Sequence, residues 1–239
     1  MNHPGFEQQN PFAKNTASRT FSLTNDPLNY RRLFIESLFI HTKGLNYGLL
    51  NPFRSVSELF NLSQMEFFIL QEELPEWTEI CKNSSYVSKV HITSVPGGHK
   101  FLLKFFDHAT LELKLISSLS VQGLLFAEVE NYINDALIDR DGVKRISRKH
   151  NFEYNFIRTC FSGQIFSKET GLYLLSASPE DQREILAYFA EKYGIVVPNM
   201  IRLMSNVFLY KEIIEEVLRI IPQNTKKTGT NFLKKYSRA

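Results

Sequence analysis

The most constraining feature of this chain is a short stretch in which polar and apolar residues alternate, Ser63-Gln64-Met65-Glu66-Phe67-Phe68-Ile69. Side chains two residues apart on a strand point to the same face of a sheet. The stretch therefore predicts a strand over about 64–70, with Gln64 and Glu66 on its polar face. The residues that this strand directs into a core are Met65, Phe67 and Ile69.

A second alternating stretch, 111–116, predicts a partner for this strand. Its Glu112 and Lys114 share one face, and its leucines share the other. If the two strands are neighbours, they bring Gln64, Glu66, Glu112 and Lys114 together in one shallow cleft. The alternation thus predicts both a half-buried sheet and a cluster of polar side chains on it.

The elements around these strands indicate an α+β fold with a small mixed sheet and flanking helices, followed by an α-helical region. Helical periodicity and capping residues predict helices over 27–43, 56–60 and 72–83. β-Branched residues and turn residues predict strands over 45–50, 87–95 and 101–106, in addition to the two above. From Ala127 onward the apolar residues recur at helical spacing, with one stripe formed by Val129, Tyr132, Ile133, Ala136 and Leu137.

These patterns divide the chain into four segments. Residues 1–26 are polar and predict a flexible N-terminal arm, and residues 27–125 form the α+β core. Residues 126–222 form the helical region, and residues 223–239 form a basic tail.

Composition limits the classes of function. The net charge of +3 is too small to indicate a nucleic-acid partner, so none is expected. The chain shows neither the pattern of a signal peptide nor an apolar run of about 20 residues, so we expect no membrane association. Cys81 and Cys160 have no metal-ligand spacing, and reduced thiols in a cytoplasmic protein are expected.

The order of elements resembles the nucleotidyltransferase superfamily, particularly bacterial members with a helical C-terminal half. The resemblance covers about residues 28–165 and rests on a helix, the strand at 45–50, the strand that begins Ser63-Gln64-Met65-Glu66, a helix and the strand at 111–116. In that family the second strand reads Ser-Asp-hydrophobic-Asp, and a later strand supplies a third Asp.

The resemblance implies a site on these strands. Carboxylates on rigid strands hold the Mg²⁺ that bridges a triphosphate, and one carboxylate orients or deprotonates the acceptor hydroxyl. Gln64 stands at the first acidic position and Glu66 at the second, so Glu66 is the implied metal ligand and catalytic carboxylate. Lys114 stands at the third position, with Glu112 as a shifted catalytic substitute. Ser63, Gln64 and Lys114 are then the implied substrate-binding residues.

Three departures from the family pattern imply weak or absent catalysis. Gln64 is a neutral ligand, and Asn51-Pro52-Phe53 replaces the Gly-Ser element of the family. Lys114 places a positive charge where Mg²⁺ belongs, which costs about 4 kcal/mol at ~4 Å and an effective dielectric of ~20. Lys114 either pairs with Glu66, leaving a relic or a binding surface, or meets phosphate directly in place of a metal. A third alternative is that these residues are ordinary solvated side chains at the strand edge.

The leading hypothesis is therefore a divergent nucleotidyltransferase-like protein that binds a nucleotide or a sugar-phosphate. The alternative is a non-enzymatic module that binds a partner protein through an aromatic-rich surface of the helical region. A basic cluster at 144–149, together with the lysines of the tail, is expected to be a solvated surface.

Overall fold

The computed structural model describes residues 29–50, 56–121, 124–162 and 175–205, together with residues 215 and 219. The predicted arm, 1–26, and the predicted tail, 223–239, lie outside the described residues. Most of the N-terminal elements lie close to where the periodicity predicts them. The helices here are α1 (Asn29–His41), α2 (Val56–Leu59) and α3 (Leu74–Lys82), and the strands are β1 (Tyr47–Leu49), β2 (Gln64–Ile69), β3 (Val87–Val95), β4 (Gly98–Phe105) and β5 (Thr110–Ile116).

The rest of the chain contains both strands and helices. The helices are α4 (Val129–Asn134), α5 (Arg148–Ser162), α6 (Pro179–Tyr193) and α7 (Met200–Ser205), and the strands are β6 (Leu119–Val121), β7 (Leu124–Ala127), β8 (Leu137–Ile138) and β9 (Lys144–Arg145). The prediction that Leu137 continues the helical stripe of α4 is wrong. Helix α4 ends at Asn134, and Leu137 begins β8 with 67% of its surface exposed.

The fold is mixed α+β, as the sequence predicts. A seven-stranded sheet has the order β3-β4-β5-β2-β1-β9-β8, and β6 and β7 form a separate two-stranded sheet. The main sheet is mixed. The pairs β2–β5 and β1–β9 are parallel, and the other pairs of neighbouring strands are antiparallel.

Two hydrophobic cores lie on opposite faces of the main sheet. The first core packs α1 and α3 against β1 to β5, with Trp77 and Phe67 fully buried in it. The second core packs α4 to α7 against a smaller part of the other face, where Phe68 and Ile116 are buried. Neighbouring residues of one strand therefore enter different cores, as the alternation of side chains requires.

The C-terminal half is attached to the sheet through the end of β1. The Ile146 amide donates to the Leu49 carbonyl at 3.1 Å, and the Asn151 side chain donates to the Leu50 carbonyl at 2.7 Å.

Among the described residues, no helix combines the length and the apolar composition that a membrane crossing requires.

Among the described residues, those of the second core leave the rest of their side of the sheet uncovered. We call this uncovered part the open face. On β3, β4 and β5 it presents Lys89, His91, Thr93, Lys100, Leu102, Lys104, Thr110, Glu112 and Lys114, and on β2 it presents Gln64 and Glu66. The predicted site residues Gln64, Glu66, Glu112 and Lys114 all belong to the open face. Ser63, the remaining predicted site residue, precedes β2.

Candidate functional site

Strands β2 and β5 are neighbours, and this confirms the predicted meeting of the polar residues. The two strands are parallel, with Gln64 opposite Glu112 and Glu66 opposite Lys114. Side chains that lie opposite each other on neighbouring strands come within ~5 Å at their Cβ atoms. The sheet register alone therefore places a carboxylate against an ammonium group at the centre of the cluster.

Glu66 is the centre of this cluster. Its Oε1 atom lies 3.1 Å from Gln64 Nε2, 3.4 Å from Lys114 Nζ and 3.4 Å from Arg158 Nη1. The Glu66 and Lys114 side chains are each about four-fifths buried, so bulk water screens their interaction only in part. Three donors from β2, β5 and α5 thus converge on one carboxylate oxygen.

Arg158 is a residue in contact with Glu66 that the sequence analysis missed. It comes from α5, and its guanidinium lies 5.5 Å from the centre of the Tyr154 ring, one helical turn earlier. Tyr154 is buried and meets Phe68 edge-on, with ring centres 5.1 Å apart. Because Phe68 follows Glu66 by two residues on β2, the same aromatic contact that seats α5 brings Arg158 to Glu66. The spacing of Tyr154 and Arg158 is the only indication in the sequence that they share a helix face.

The other predicted residues lie near Glu66 without contacting it. Glu112 forms its own ion pair, with its Oε2 atom 2.5 Å from Lys100 Nζ on β4. Ser63 is exposed and precedes β2, where its carbonyl accepts the Glu112 amide at 2.9 Å. These contacts neither support nor contradict the roles that the resemblance implies for Ser63 and Glu112.

The site favours anions over cations. Lys100, Lys114 and Arg158 outnumber Glu66 and Glu112, so the cluster carries one excess positive charge when all five are ionised. Burial lowers the pKa of Lys114, and the neighbouring Glu66 opposes that shift. An anion beside Lys114 would further favour its charged form, because an opposite charge within a few ångströms stabilises the ammonium.

The donor set around Glu66 does not fit Mg²⁺. A divalent cation needs several oxygen ligands. Here the carboxylate oxygen is already met by Lys114 and Arg158, each at 3.4 Å. No group of three or more His, Cys, Asp or Glu side chains within the described ranges is placed to hold a metal ion. The implied role of Glu66 as a metal ligand remains a prediction, and no step below depends on it.

The aromatic surface of the alternative hypothesis is not seen among the described side chains. In α5 and α6 the residues Phe152, Phe156, Phe189 and Tyr193 are buried in the second core.

Cys81 is a buried free thiol whose pKa burial raises to about 12, whereas the Cys160 side chain lies outside the described residues. The thiol of Cys81 is therefore a core group and an inert one at neutral pH.

Comparisons with known proteins leave the site to be argued from its geometry alone. No family model matches the chain, and neither a curated protein nor a solved structure matches it.

Proposed function

We propose that the protein is a divergent nucleotidyltransferase-like protein with a C-terminal helical region, which binds the phosphate of a nucleotide or a sugar-phosphate and has weak or no transferase activity. The observation that carries this proposal is the convergence of Lys114 and Arg158 on Glu66. Both cations lie 3.4 Å from the same carboxylate oxygen, Glu66 Oε1. Such a pair is suited to phosphate, since a guanidinium offers two parallel N–H groups and an ammonium offers a point charge.

In this proposal Glu66 positions the two cations and does not hold a metal. With no ligand bound, it neutralises part of their charge and keeps both side chains beside it. A phosphate would take hydrogen bonds from Lys114 and Arg158, and its charge would replace the partial compensation that Glu66 gives. Gln64, whose amide nitrogen donates to Glu66 at 3.1 Å, would keep that carboxylate in place.

The test is a thermal-shift titration with ATP, CTP, GTP, UTP and glucose 1-phosphate, each with and without Mg²⁺. A ligand that binds only the folded state at 100 times its Kd stabilises it by about 2.7 kcal/mol, which raises the Tm of a domain this size by about 5–10 °C. We expect a rise that does not require Mg²⁺ and that is lost in Lys114→Ala and in Arg158→Ala. Lys82→Ala, an exposed lysine at the end of α3, is the matched control and should keep the rise.

Glu66→Gln separates this proposal from a metal enzyme. Removing the charge of Glu66 leaves Lys114 and Arg158 without compensation, so phosphate should bind as tightly as before or more tightly. In a metal-dependent site the same change would remove a ligand and abolish the shift. A rise that requires Mg²⁺ and disappears in Glu66→Gln would overturn the proposal in favour of metal-dependent binding. The absence of any shift with all five ligands would overturn the phosphate site itself.

A further inference from the structure

The open face carries an excess of positive charge beyond the cluster at Glu66. In one row across the strands, Thr93, Lys100, Lys114 and Glu66 lie opposite one another in turn. In a second row, His91, Leu102, Glu112 and Gln64 do so, and in a third, Lys89, Lys104 and Thr110. Four lysines thus share a face with two glutamates, and both glutamates belong to the half nearest β2.

Two pairs of lysines lie directly opposite each other on neighbouring strands. These are Lys100 with Lys114 and Lys89 with Lys104. Like charges in this position destabilise a sheet. The first pair is compensated, because Lys100 lies 2.5 Å from Glu112 and Lys114 lies 3.4 Å from Glu66. The second pair is exposed, and within the described part of the chain neither lysine has an ion-pair partner. The outer half of the open face therefore bears uncompensated charge.

We propose that the open face binds the phosphate backbone of nucleic acid, with Lys89 and Lys104 as its principal contacts. Lysine is a good ligand for phosphate and is depleted at protein–protein interfaces, so this face suits a polyphosphate better than a protein. The hydroxyls of Thr93 and Thr110 add neutral donors of the kind that contact phosphates. Such a partner supplies the opposite charge that the second lysine pair lacks among the described residues.

The composition of the face also defines the mode of binding. Its largest exposed apolar side chain is Leu102, and its described positions include no Phe, Tyr or Trp on which bases could stack. The four strands make the face about 14 Å wide. Binding should therefore be independent of sequence and dependent on salt, for a duplex as well as for a single strand.

This inference goes beyond the proposed phosphate site and can stand without it. Lys89 lies on β3 and Lys104 on β4. The two lysines are distant in the sequence, and the antiparallel pairing of these strands places them opposite each other. The net charge of the whole chain gives no indication of this patch, which is why the sequence analysis expects no nucleic-acid partner. The proposal departs from that expectation because the strand register places Lys89 and Lys104 opposite each other.

The experiment measures fluorescence anisotropy of labelled 20-nucleotide poly(dT) and poly(U) and of a 20-base-pair duplex, over a series of salt concentrations. We expect binding of both single strands and of the duplex, and we expect Lys89→Gln/Lys104→Gln to weaken it about tenfold at low salt. The slope of log affinity against log salt should fall in magnitude by about 1.4, because each phosphate contact to a single strand contributes about 0.7. Both substitutions are on exposed residues, and the Tm of the variant checks that it folds.

Lys43→Gln/Lys82→Gln is the matched control, since it removes the same charge from two exposed lysines outside the open face. An equal loss of binding in this control would show a general charge effect and overturn the proposal. Failure of the wild-type protein to bind either single strand at low salt would also overturn it. Tighter binding of poly-glutamate than of poly(dT) and poly(U) would overturn it too, because it would indicate an acidic protein partner. Nucleotide-induced thermal shifts should be unchanged in Lys89→Gln/Lys104→Gln, so failure of the two proposals can be told apart.

Discussion

Among the described glycines, Gly98 leaves the least room for a side chain. It begins β4 between Val95 and Ile116, and a Cβ atom added there would lie 1.9 Å from the Leu115 carbonyl oxygen. That oxygen belongs to the backbone of β5, so it cannot move without disturbing the strand that carries Lys114. We expect Gly98→Ala to lower the free energy of unfolding by about 1–3 kcal/mol, the usual cost of overpacking.

Urea denaturation checks this prediction through a lower midpoint at an unchanged m-value. Gly44→Ala is the control, because no atom lies within 4 Å of a Cβ added at Gly44. It should be neutral or slightly stabilising, since alanine reduces the conformational entropy of the unfolded chain. Equal midpoints for the two variants would contradict the close approach at Gly98.

At the scale of single residues, the sequence placed four polar residues of the candidate site on the correct faces of their strands. The period of two placed Gln64 and Glu66 on one face, and it placed Glu112 and Lys114 likewise, because a strand fixes that geometry locally. Arg158 could not be predicted, since it lies 92 residues from Glu66 and reaches it only through the packing of α5 on β2. Contacts of that kind depend on tertiary structure, and no local pattern encodes them.

At the scale of elements, Glu153 joins three helices of the second core. It is fully buried on α5, and it accepts hydrogen bonds from Tyr132 on α4 and from Tyr188 and Tyr193 on α6. Lys192 Nζ lies 2.7 Å from its Oε1 atom and supplies the opposite charge. Burying a carboxylate is costly unless it is paired and hydrogen-bonded, and here both conditions are met.

We expect Glu153→Gln to lower the free energy of unfolding by about 2–4 kcal/mol. The change leaves Lys192 without its counter-charge and places amide donors against tyrosine hydroxyls that already donate. Thermal and urea denaturation measure the loss, and Glu191→Gln, on the exposed side of α6, should have little effect. A Glu153→Gln protein as stable as the wild type would show that the carboxylate does not hold α4, α5 and α6 together.

The sequence failed to predict strands β6, β7, β8 and β9, each of which has four residues or fewer. Strands β8 and β9 have two residues each, which is too short to show a period of two. Their place in the sheet is set by β1, whose Leu49 lies opposite Arg145. The caps of α6 were predictable because they are local: Ser178 accepts the Asp181 amide at 3.1 Å, and Gly194 ends the helix with a positive φ.

At the scale of the whole molecule, the two cores are coupled through shared strands. Phe67 enters the first core and Phe68 the second, and Leu115 and Ile116 are divided in the same way. If either core unfolded, β2 and β5 would lose the packing on one face, and the other core would lose its support. The predicted boundary at residue 125 falls within β7, and the segment beyond it contributes β9 to the main sheet. This coupling predicts a single cooperative unfolding transition.

Trp77 provides a test of that coupling, because it is the only tryptophan and lies in the first core. We expect urea transitions followed by Trp77 fluorescence and by far-UV circular dichroism to coincide, as two-state unfolding requires. Phe156→Ala in the second core should lower the free energy of unfolding by about 3–5 kcal/mol in both signals. Leu137→Ala, on the exposed β8, should leave both nearly unchanged. A Trp77 transition that stays in place in Phe156→Ala while the dichroism transition moves would show that the two cores unfold independently.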